Sequence, residues 1–363
     1  MKIIIGKEEF LKVVQTVQNV VPSKTIQPIL ANMLVETLKD RIRLVATDLE
    51  IGISATAGVK VAEEGAITVP AKRLSDIIRE MPPGEITIST KKNNMVSIES
   101  GSCVFRIMGL PKDDYPQLPD FQQKEGFTLT QPLLKDMLRM TSFAMSHDET
   151  RYVLNGINFL VKNNRVRLVA TDGRRLAYIE KEAIVPKSID KDIILSTKAV
   201  NELNRLLQDE GDINIIVDAN QALFKMGNTT LITRLVEGEF PKYEQVIPKE
   251  TKGKIKTDRQ KLLEAIRRAS LLSNPESLAI RMDISRNHVI ISKHTPEVGE
   301  EREEIDVEYN GPDFAIGFNP HYLLDVLKNL DGSEIELELI DPEKPGVIRL
   351  ENYIYILLPM QLT

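Results

Sequence analysis

One pattern of sequence decides the fold because it occurs three times: EGAITVPAKRLSDIIREM at residues 64–81, KDIILSTKAVNELNRLL at 191–207 and DFAIGFNPHYLLDVLKNL at 313–330. Each copy reads as a short apolar strand, a turn and an amphipathic helix. Equivalent positions lie 126 and then 123 residues apart. A fixed period over the whole length predicts three copies of one domain.

A second landmark keeps the same register. LVATDLEIGISA starts at Leu44 and LVATDGRRLAYIE starts at Leu168, whereas the third counterpart, from Ile290, has lost the Thr-Asp pair. Each copy also opens with another helix whose apolar residues recur every three or four positions, which places them on one helix face. The spacing predicts six helices: 7–19, 71–80, 131–142, 197–208, 258–269 and 320–330. Each copy therefore carries two helices amid about eight short strands, an α+β class of fold.

Composition indicates a soluble globular chain. It has 363 residues, of which 42% are hydrophobic and 28% are charged. No apolar run approaches the roughly 18 residues that a membrane span needs, and the N-terminus is charged too early for a signal peptide. The one cysteine, Cys103, has no partner for an internal disulfide and fits a reducing cytoplasm. We expect no membrane partner and a cytoplasmic location.

The predicted domain boundaries fall where proline and charge cluster. Residues 110–126 and 237–254 form two such connectors, which also hold aromatic residues that can pack. We therefore expect three domains, at residues 1–121, 127–245 and 246–363.

Motifs for catalysis or metal binding are missing from the sequence. It contains no glycine-rich phosphate loop, and none of its four histidines has the spacing of a zinc site. The string SHDETR at 146–151 indicates a loop with solvated charges rather than a triad. The repeated Asp48 and Asp172 indicate strand-end turns in which aspartate caps its own backbone. Cys103 is expected to be a small buried strand residue. We expect no catalytic residue, no metal and no cofactor.

Charge is distributed unevenly along the chain. The net charge is −6, which argues against a simple basic protein that coats DNA. The six predicted helices nevertheless carry a net +5, so the rest of the chain carries −11. If all six helices line one surface, that surface is basic; the alternative is ordinary solvated helix faces.

Seven further stretches resemble one family. They are PILANMLVE from Pro28, ATDLE from Ala46, RYVLNGINF from Arg151, LVATDGRRLA from Leu168, EGEFPKYEQVIP from Glu237, IGFNPHYLLDVL from Ile316 and YILLPMQL from Tyr355. In this order and over the whole chain, they are similar to the bacterial DNA polymerase III beta subunit, the replication sliding clamp.

The resemblance implies a ring of two subunits joined head to tail. In each of the six domains, two helices would pack on antiparallel sheets in the DNA clamp fold, with the helices lining the hole. The ring would encircle duplex DNA without reading its sequence, because phosphate contacts carry no base information. It would tether the catalytic subunit of DNA polymerase III, the clamp loader and other proteins that carry the clamp-binding motif.

The resemblance also implies three sets of site residues. The partner-peptide groove would comprise Leu154, Thr171, Gly173, Arg175, Leu176, Pro241, Val246, Asn319, Tyr322, Pro359 and Met360. DNA contacts would come from Lys24, Arg151 and Tyr152. The dimer seam would join Phe105 and Ile107 of one subunit to Leu271 and Leu272 of the other.

Alternatives remain open for some of these residues. Leu154, Leu176 and Val246 could be plain core, and each seam residue could be buried within its own subunit. Arg174 and Gln361 depart from residues common in the family, which affects the peptide preference rather than the groove. A different class of function is also possible: a three-domain enzyme or β-rich scaffold that binds a small ligand between domains.

Overall fold

The structure is a computed structural model that describes residues 1–119, 121, 124–249 and 253–362. Thr363, where the third predicted domain ends, and a few positions of both predicted connectors lie outside the described residues.

Six α-helices occur where the apolar spacing predicts them, and their ends differ from the predicted ends by at most two residues. They are α1 Lys7–Gln18, α2 Ala71–Glu80, α3 Gln131–Thr141, α4 Thr197–Leu206, α5 Arg259–Ser270 and α6 Pro320–Asn329. Asp258 lies just outside α5 as its N-cap and accepts a hydrogen bond from the Lys261 N–H at 2.7 Å. With these bounds the net charge of the six helices is +6.

Short strands make up most of the remaining structure. The first repeat contains β1 Lys2–Gly6, β2 Asn32–Leu38, β3 Arg41–Thr47, β4 Ile51–Gly58, β5 Lys60–Glu63, β6 Ala66–Pro70, β7 Glu85–Thr90, β8 Met95–Ser100 and β9 Cys103–Met108. The second contains β10 Phe127–Thr130, β11 Gly156–Lys162, β12 Arg165–Thr171, β13 Arg175–Glu182, β14 Lys191–Ser196, β15 Asp212–Val217, β16 Gln221–Met226 and β17 Thr229–Arg234. The third contains β18 Gly253–Asp258, β19 Ile280–Ser285, β20 His288–Thr295, β21 Gly299–Asp306, β22 Phe314–Phe318, β23 Glu334–Leu339, β24 Gly346–Leu350 and β25 Tyr353–Leu357.

These strands form four antiparallel sheets, two of which join strands of different repeats. Sheet 1 has eight strands in the order β10-β15-β16-β17-β4-β3-β2-β6, and sheet 2 has eight in the order β14-β11-β12-β13-β25-β24-β23-β18. The repeats meet where β17 pairs with β4 and where β13 pairs with β25. The smaller sheets are β5-β1-β7-β8-β9 and β21-β20-β19-β22.

Contacts divide the chain into two compact units rather than at the repeat boundaries. One comprises Met1–Leu133 with Asn201–Leu235, and the other comprises Leu134–Val200 with the chain from Val236 onward. The division passes through the second repeat because half of its strands belong to sheet 1 and half to sheet 2.

Two expectations about single features can be compared with the fold. Cys103 lies in a strand as predicted, but it is partly exposed rather than buried, because β9 is the edge of its sheet. In the described part of the chain, no helix is long and apolar enough to cross a membrane.

Candidate functional site

The Thr-Asp pair of the second repeat makes a tight turn between β12 and β13. One oxygen of Asp172, Oδ1, accepts hydrogen bonds from the N–H groups of Arg174 at 2.9 Å and Arg175 at 3.0 Å. The hydroxyl of Thr171 donates to the carbonyl of Arg175 at 2.5 Å. Gly173 has a φ of +86°, a left-handed conformation that favours glycine. Asp48 accepts the same two bonds in the first repeat, so the predicted capping role of both aspartates is confirmed.

Arg175 is a buried cation with three hydrogen-bond partners. Only 8% of the residue is exposed. Its guanidinium donates to Asp172 at 3.1 Å and to Asp325 of α6 at 2.7 Å, and it also donates to the carbonyl of Phe143. Burial alone would lower the pKa of Arg175, but Tyr355 and Asp325 raise it above its ordinary value. A permanent charge therefore ties the β12–β13 turn to helix α6.

The N-terminus of α6 forms the next side of this site. Asn319 caps the helix by accepting a hydrogen bond from the His321 N–H at 3.0 Å. The ring of Tyr322, half-buried, lies 4.4 Å from the Arg175 guanidinium, within the range of a cation–π contact. The Tyr355 hydroxyl donates to the Tyr322 carbonyl at 2.9 Å, and burial raises the pKa of Tyr355. These bonds hold the Tyr322 ring in place.

The C-terminal segment runs along the same site. After β25, the Leu358 N–H donates to the Arg174 carbonyl at 2.9 Å, and the Met360 N–H donates to the Gly317 carbonyl at 2.8 Å. A Cβ at Gly317 would lie 2.6 Å from the Met360 carbonyl oxygen, so only glycine allows this approach. Pro359 and Met360 are half-buried as a result, and the tail is held against the turn and against β22.

The second connector covers the adjacent face of sheet 2. Leu176 and Tyr243 belong to one apolar cluster, to which Phe240 adds its ring at 6.3 Å from that of Tyr243. Val246 is 55% exposed, which disagrees with a plain core role, and Pro241 is also exposed. Leu154 and Leu176 are buried, as the core alternative expects.

The predicted groove residues thus form one connected set. Some of them contact one another directly, and others are connected through neighbouring residues. Direct contacts join the β12–β13 turn, the start of α6 and the tail. Pro241 and Val246 belong to the connector that packs on Leu176 through Tyr243. Leu154 ends the 3₁₀ segment Glu149–Leu154, from which Arg151 donates to the Asp172 carbonyl at 3.4 Å. Half-buried apolar groups such as Pro359 and Met360 suit an extended peptide with apolar anchors.

The three predicted DNA contacts are all exposed. Arg151 and Tyr152 are neighbours in the 3₁₀ segment, which Asp148 caps by accepting from the Thr150 N–H at 3.0 Å. This capped turn agrees with the expected loop of solvated charges at 146–151. Lys24 lies in the loop that follows α1. Among the described residues, six helix cations also have side chains without a hydrogen bond or ion pair: Lys12, Lys72, Arg73, Lys261, Arg267 and Lys328.

The four predicted seam residues differ in exposure. Leu271 is 78% exposed and Phe105 is partly exposed, so both can contribute contact area. Leu272 is half-buried. Ile107 is only 8% exposed, because its side chain is on the covered face of its own sheet. This burial is what the alternative expects. Val104 and Met108, which flank Ile107 on the same edge strand, are exposed instead.

Within residues 1–119, 121, 124–249 and 253–362, no group of three or more His, Cys, Asp or Glu residues could hold a metal ion.

Comparison with known proteins identifies the family. Three consecutive stretches match the domains of the DNA polymerase III beta subunit: the N-terminal domain over residues 1–119, the central domain over 128–242 and the C-terminal domain over 244–360. The chain belongs to the DNA polymerase III beta subunit family. This family of sliding clamps is non-catalytic, so its membership confirms that the chain is not an enzyme.

Relatives and solved structures agree over the full length. The beta sliding clamp of Proteus mirabilis is 35% identical over 372 residues, which cover 100% of both chains. The sliding clamp of Bacillus subtilis has a TM-score of 0.97 at 29% identity, and the Pseudomonas aeruginosa beta subunit bound to griselimycin has 0.96 at 33%. Both structures cover 100% of each chain. The beta-subunit fold of three clamp domains, with helices and antiparallel sheets, is confirmed.

Sequence reasoning missed several residues that support the groove. Asp325 and Phe143 hold Arg175, and Gly317 receives the tail. An unusual glycine within the apolar run FAIGF was the one available signal for Gly317. Asp325 and Phe143 gave none, since their partner lies far away in sequence.

Proposed function

We propose that this chain is a ring-forming sliding clamp that encircles duplex DNA and tethers the replicative polymerase through the groove around Arg175. Two subunits would build the ring, each with three domains at residues 1–121, 127–245 and 246–363. The groove carries this proposal: a turn, a helix N-terminus and a C-terminal tail, drawn from distant parts of the chain, meet around one buried cation. The partners would be the DNA polymerase III catalytic subunit, the clamp loader and other proteins with the same short motif.

Contact with DNA would be electrostatic and independent of sequence. The helix cations without anionic partners would face phosphates, together with Lys24, Arg151 and Tyr152. Because the chain as a whole carries a net charge of −6, few phosphates would be neutralised at once and the ring would slide. Retention on DNA would then come from topology rather than from affinity. A clamp that works on the chromosome would act in the cytoplasm.

The dimer would close through the exposed edge strand β9. The exposed residues of β9 (Phe105, Val104 and Met108) would contact Leu271 and Leu272 of the second subunit. Ile107 would support the strand from the core of its own subunit. A few central apolar anchors carry most of the energy of such interfaces.

Retention on circular DNA tests the topology. The protein, placed on a nicked plasmid by a clamp loader, is expected to co-elute with the circle in gel filtration and to be lost when the plasmid is linearised. Equal retention on circles and linear DNA would contradict an encircling ring. The double variant Leu271→Ala, Leu272→Ala should sediment as a monomer and should not be retained. Leu350→Ala, which also shortens an exposed leucine, is the matched control and should behave as the parent.

A further inference from the structure

Sheet 1 has an open cleft on one face, whereas side chains occupy the equivalent position on sheet 2. The cleft has a volume of about 910 Å³ and lies on the face of sheet 1 beneath the first connector. Its floor includes one row of side chains that crosses six strands through paired positions. The row runs Asn214, Lys225, Thr230, Ser54, Val45, Leu34.

The same row exists on sheet 2, shifted by 124 residues. It contains Asn158, Val169, Tyr178, Ile354 and Arg349, again at directly paired positions. Two side chains differ in a way that matters. Ser54 stands where sheet 2 has Tyr178, and Thr230 stands where it has Ile354. The side chains of sheet 1 are therefore smaller at two central positions of the row.

On sheet 2 an aromatic cluster fills this position. The ring of Tyr178 lies 6.0 Å from that of Tyr243, and the Arg167 guanidinium lies 5.3 Å from the Tyr178 ring. Sheet 1 keeps the corresponding cation, Arg43, but offers it no ring at Ser54. An aromatic side chain supplied from outside would restore the missing contact.

Sheet 1 also lacks a carboxylate that sheet 2 has at the equivalent position. On sheet 2, Arg349 donates to Glu338 at 3.4 Å and to the carbonyl of Pro248 at 3.0 Å. The counterparts on sheet 1 are Lys225 and Asn214, so the carboxylate is replaced by an amide. Among the described residues, the Lys225 side chain has no hydrogen-bond or ion-pair partner, and it is exposed.

The part of the first connector that the structure describes, residues 110–119, 121 and 124–126, leaves the cleft open, with Tyr115 and Phe121 buried in its lining. Tyr115 is anchored at one end, where its hydroxyl donates to the Val45 carbonyl at 3.2 Å. Leu118 lies over Gly52, since a Cβ there would be 2.3 Å from a methyl of Leu118. Neither residue fills the position of Tyr178, and Ser54 and Thr230 stay half-exposed. The charged lining comprises Arg43, Lys112, Lys124 and Lys225 with Glu36 and Asp113; Arg43 pairs with Glu36 and Lys124 with Asp218.

We propose that this cleft is a second protein-binding site, separate from the groove around Arg175. Its occupant is a linear segment of a partner protein with a tyrosine or phenylalanine next to a carboxylate. The ring lies over Ser54 and Thr230 beside Arg43, and the carboxylate pairs with Lys225. Sheet 2 supplies internally, through Tyr178 and Glu338, the same two groups that the partner brings to sheet 1.

Methyl NMR of the full-length protein tests this site with a defined probe, the acetylated peptide Gly-Glu-Tyr-Glu-Gly amide. We expect shifts at Val45, Leu223 and Ile232, and none at Leu176 or Ile356 of sheet 2. The peptide Gly-Lys-Tyr-Lys-Gly, with reversed charge, and Gly-Glu-Ala-Glu-Gly, without the ring, should shift the same methyls little. Absence of cleft shifts at a peptide concentration of about 5 mM, where a ligand with a Kd of about 1 mM would be mostly bound, overturns the proposal.

Variants of the protein test the charge contact at Lys225 and the ring contact at Ser54 separately. Lys225→Glu should weaken binding roughly tenfold by replacing an attractive charge with a repulsive one. Lys225→Arg should retain it, and Lys92→Glu, an equal charge change at an exposed lysine elsewhere, should leave it unaltered. Ser54→Tyr should abolish binding by filling the cleft, while Ser54→Ala should not. If Ser54→Tyr fails to fold, Lys225→Glu still decides. Equal binding by Lys225→Glu and the parent overturns the site.

Discussion

Sheets 1 and 2 combine strands of adjacent repeats in the same way, yet only sheet 2 forms the candidate groove. Both carry a Thr-Asp turn with the same hydrogen bonds. On sheet 2 the turn is followed by Arg175 and Leu176, whereas sheet 1 has Ile51 and Gly52 at these positions. The backbone is therefore a common scaffold, and a few side chains decide what each sheet can bind.

The ends of the central strands differ as well. After β25 the chain continues as the tail that reaches Gly317, whereas after β17 it turns back, and the Leu235 N–H donates to the Asn220 carbonyl at 2.9 Å. This tail carries Met360, and methionine suits contact with varied partners because its thioether side chain is flexible. The candidate groove on sheet 2 therefore includes a tail segment that sheet 1 lacks.

The largest effect is expected from removing the tail. Deletion of residues 358–363 should lower the affinity for a labelled polymerase-tail peptide by about 100-fold or more, because central anchors carry most binding energy. The fold should persist, since β25 ends at Leu357. Peptide titration and circular dichroism measure the two outcomes. Leu350→Ala, at an exposed position of β24, is the control. Unchanged affinity in a folded truncation would place the groove elsewhere.

The second largest effect is expected from replacing Arg175, which should lower the stability of the protein. Arg175→Ala should destabilise the unit that contains sheet 2 by about 3–5 kcal/mol, because it leaves Asp172 and Asp325 without their buried cation. Arg174→Ala, at an exposed neighbouring position, should change stability by about 0.5 kcal/mol or less. Hydrogen exchange of β12 and β13 amides measures both. Equal protection in the two variants would show that the buried charge does not hold the turn.

Tyr178 tests whether one side chain accounts for the cleft. Tyr178→Ser should destabilise sheet 2 by roughly 3 kcal/mol, near the lower end for a large core truncation because the ring is only half-buried. The variant should also open a cleft like that of sheet 1. Thermal denaturation measures the first effect, and a crystal structure the second. A sheet 2 that stays filled would show that the connectors, not Tyr178 and Ser54, make the difference.

Local features of this molecule could be predicted from sequence, and contacts between distant residues could not. The six helices follow from apolar spacing, and the Asp48 and Asp172 turns follow from side-chain capping within three residues. The pairing of Arg175 with Asp325 spans 150 positions, and no local pattern indicates it. Which seam residues are buried could not be predicted for another reason: alternation separates the two faces of a strand without saying which face the core covers. The resemblance predicted the groove residues, but the contacts that hold Arg175 and the tail came only from the structure.

The smallest expected effect concerns the charge pair at the rim of sheet 2. Burial alone would raise the pKa of Glu180, but hydrogen bonds from Arg167 and Arg165 bring it below its ordinary value of 4.5. A carboxyl group with a lowered folded-state pKa stabilises the protein fully above that ordinary value, and the contribution is lost as pH falls through the folded-state pKa.

Glu180→Gln should therefore cost about 1 kcal/mol at pH 7, a small value because both arginines keep solvent access. The difference from the parent should shrink as the pH is lowered below about 4.5, where the parent also loses the charge. Denaturant unfolding at several pH values measures it. Sheet 1 has Thr56 at this position, so Thr56→Val is the matched control and should show no such pH dependence. A constant difference between Glu180→Gln and the parent from pH 7 to pH 3 would mean that Glu180 acts through its shape and hydrogen bonds rather than its charge.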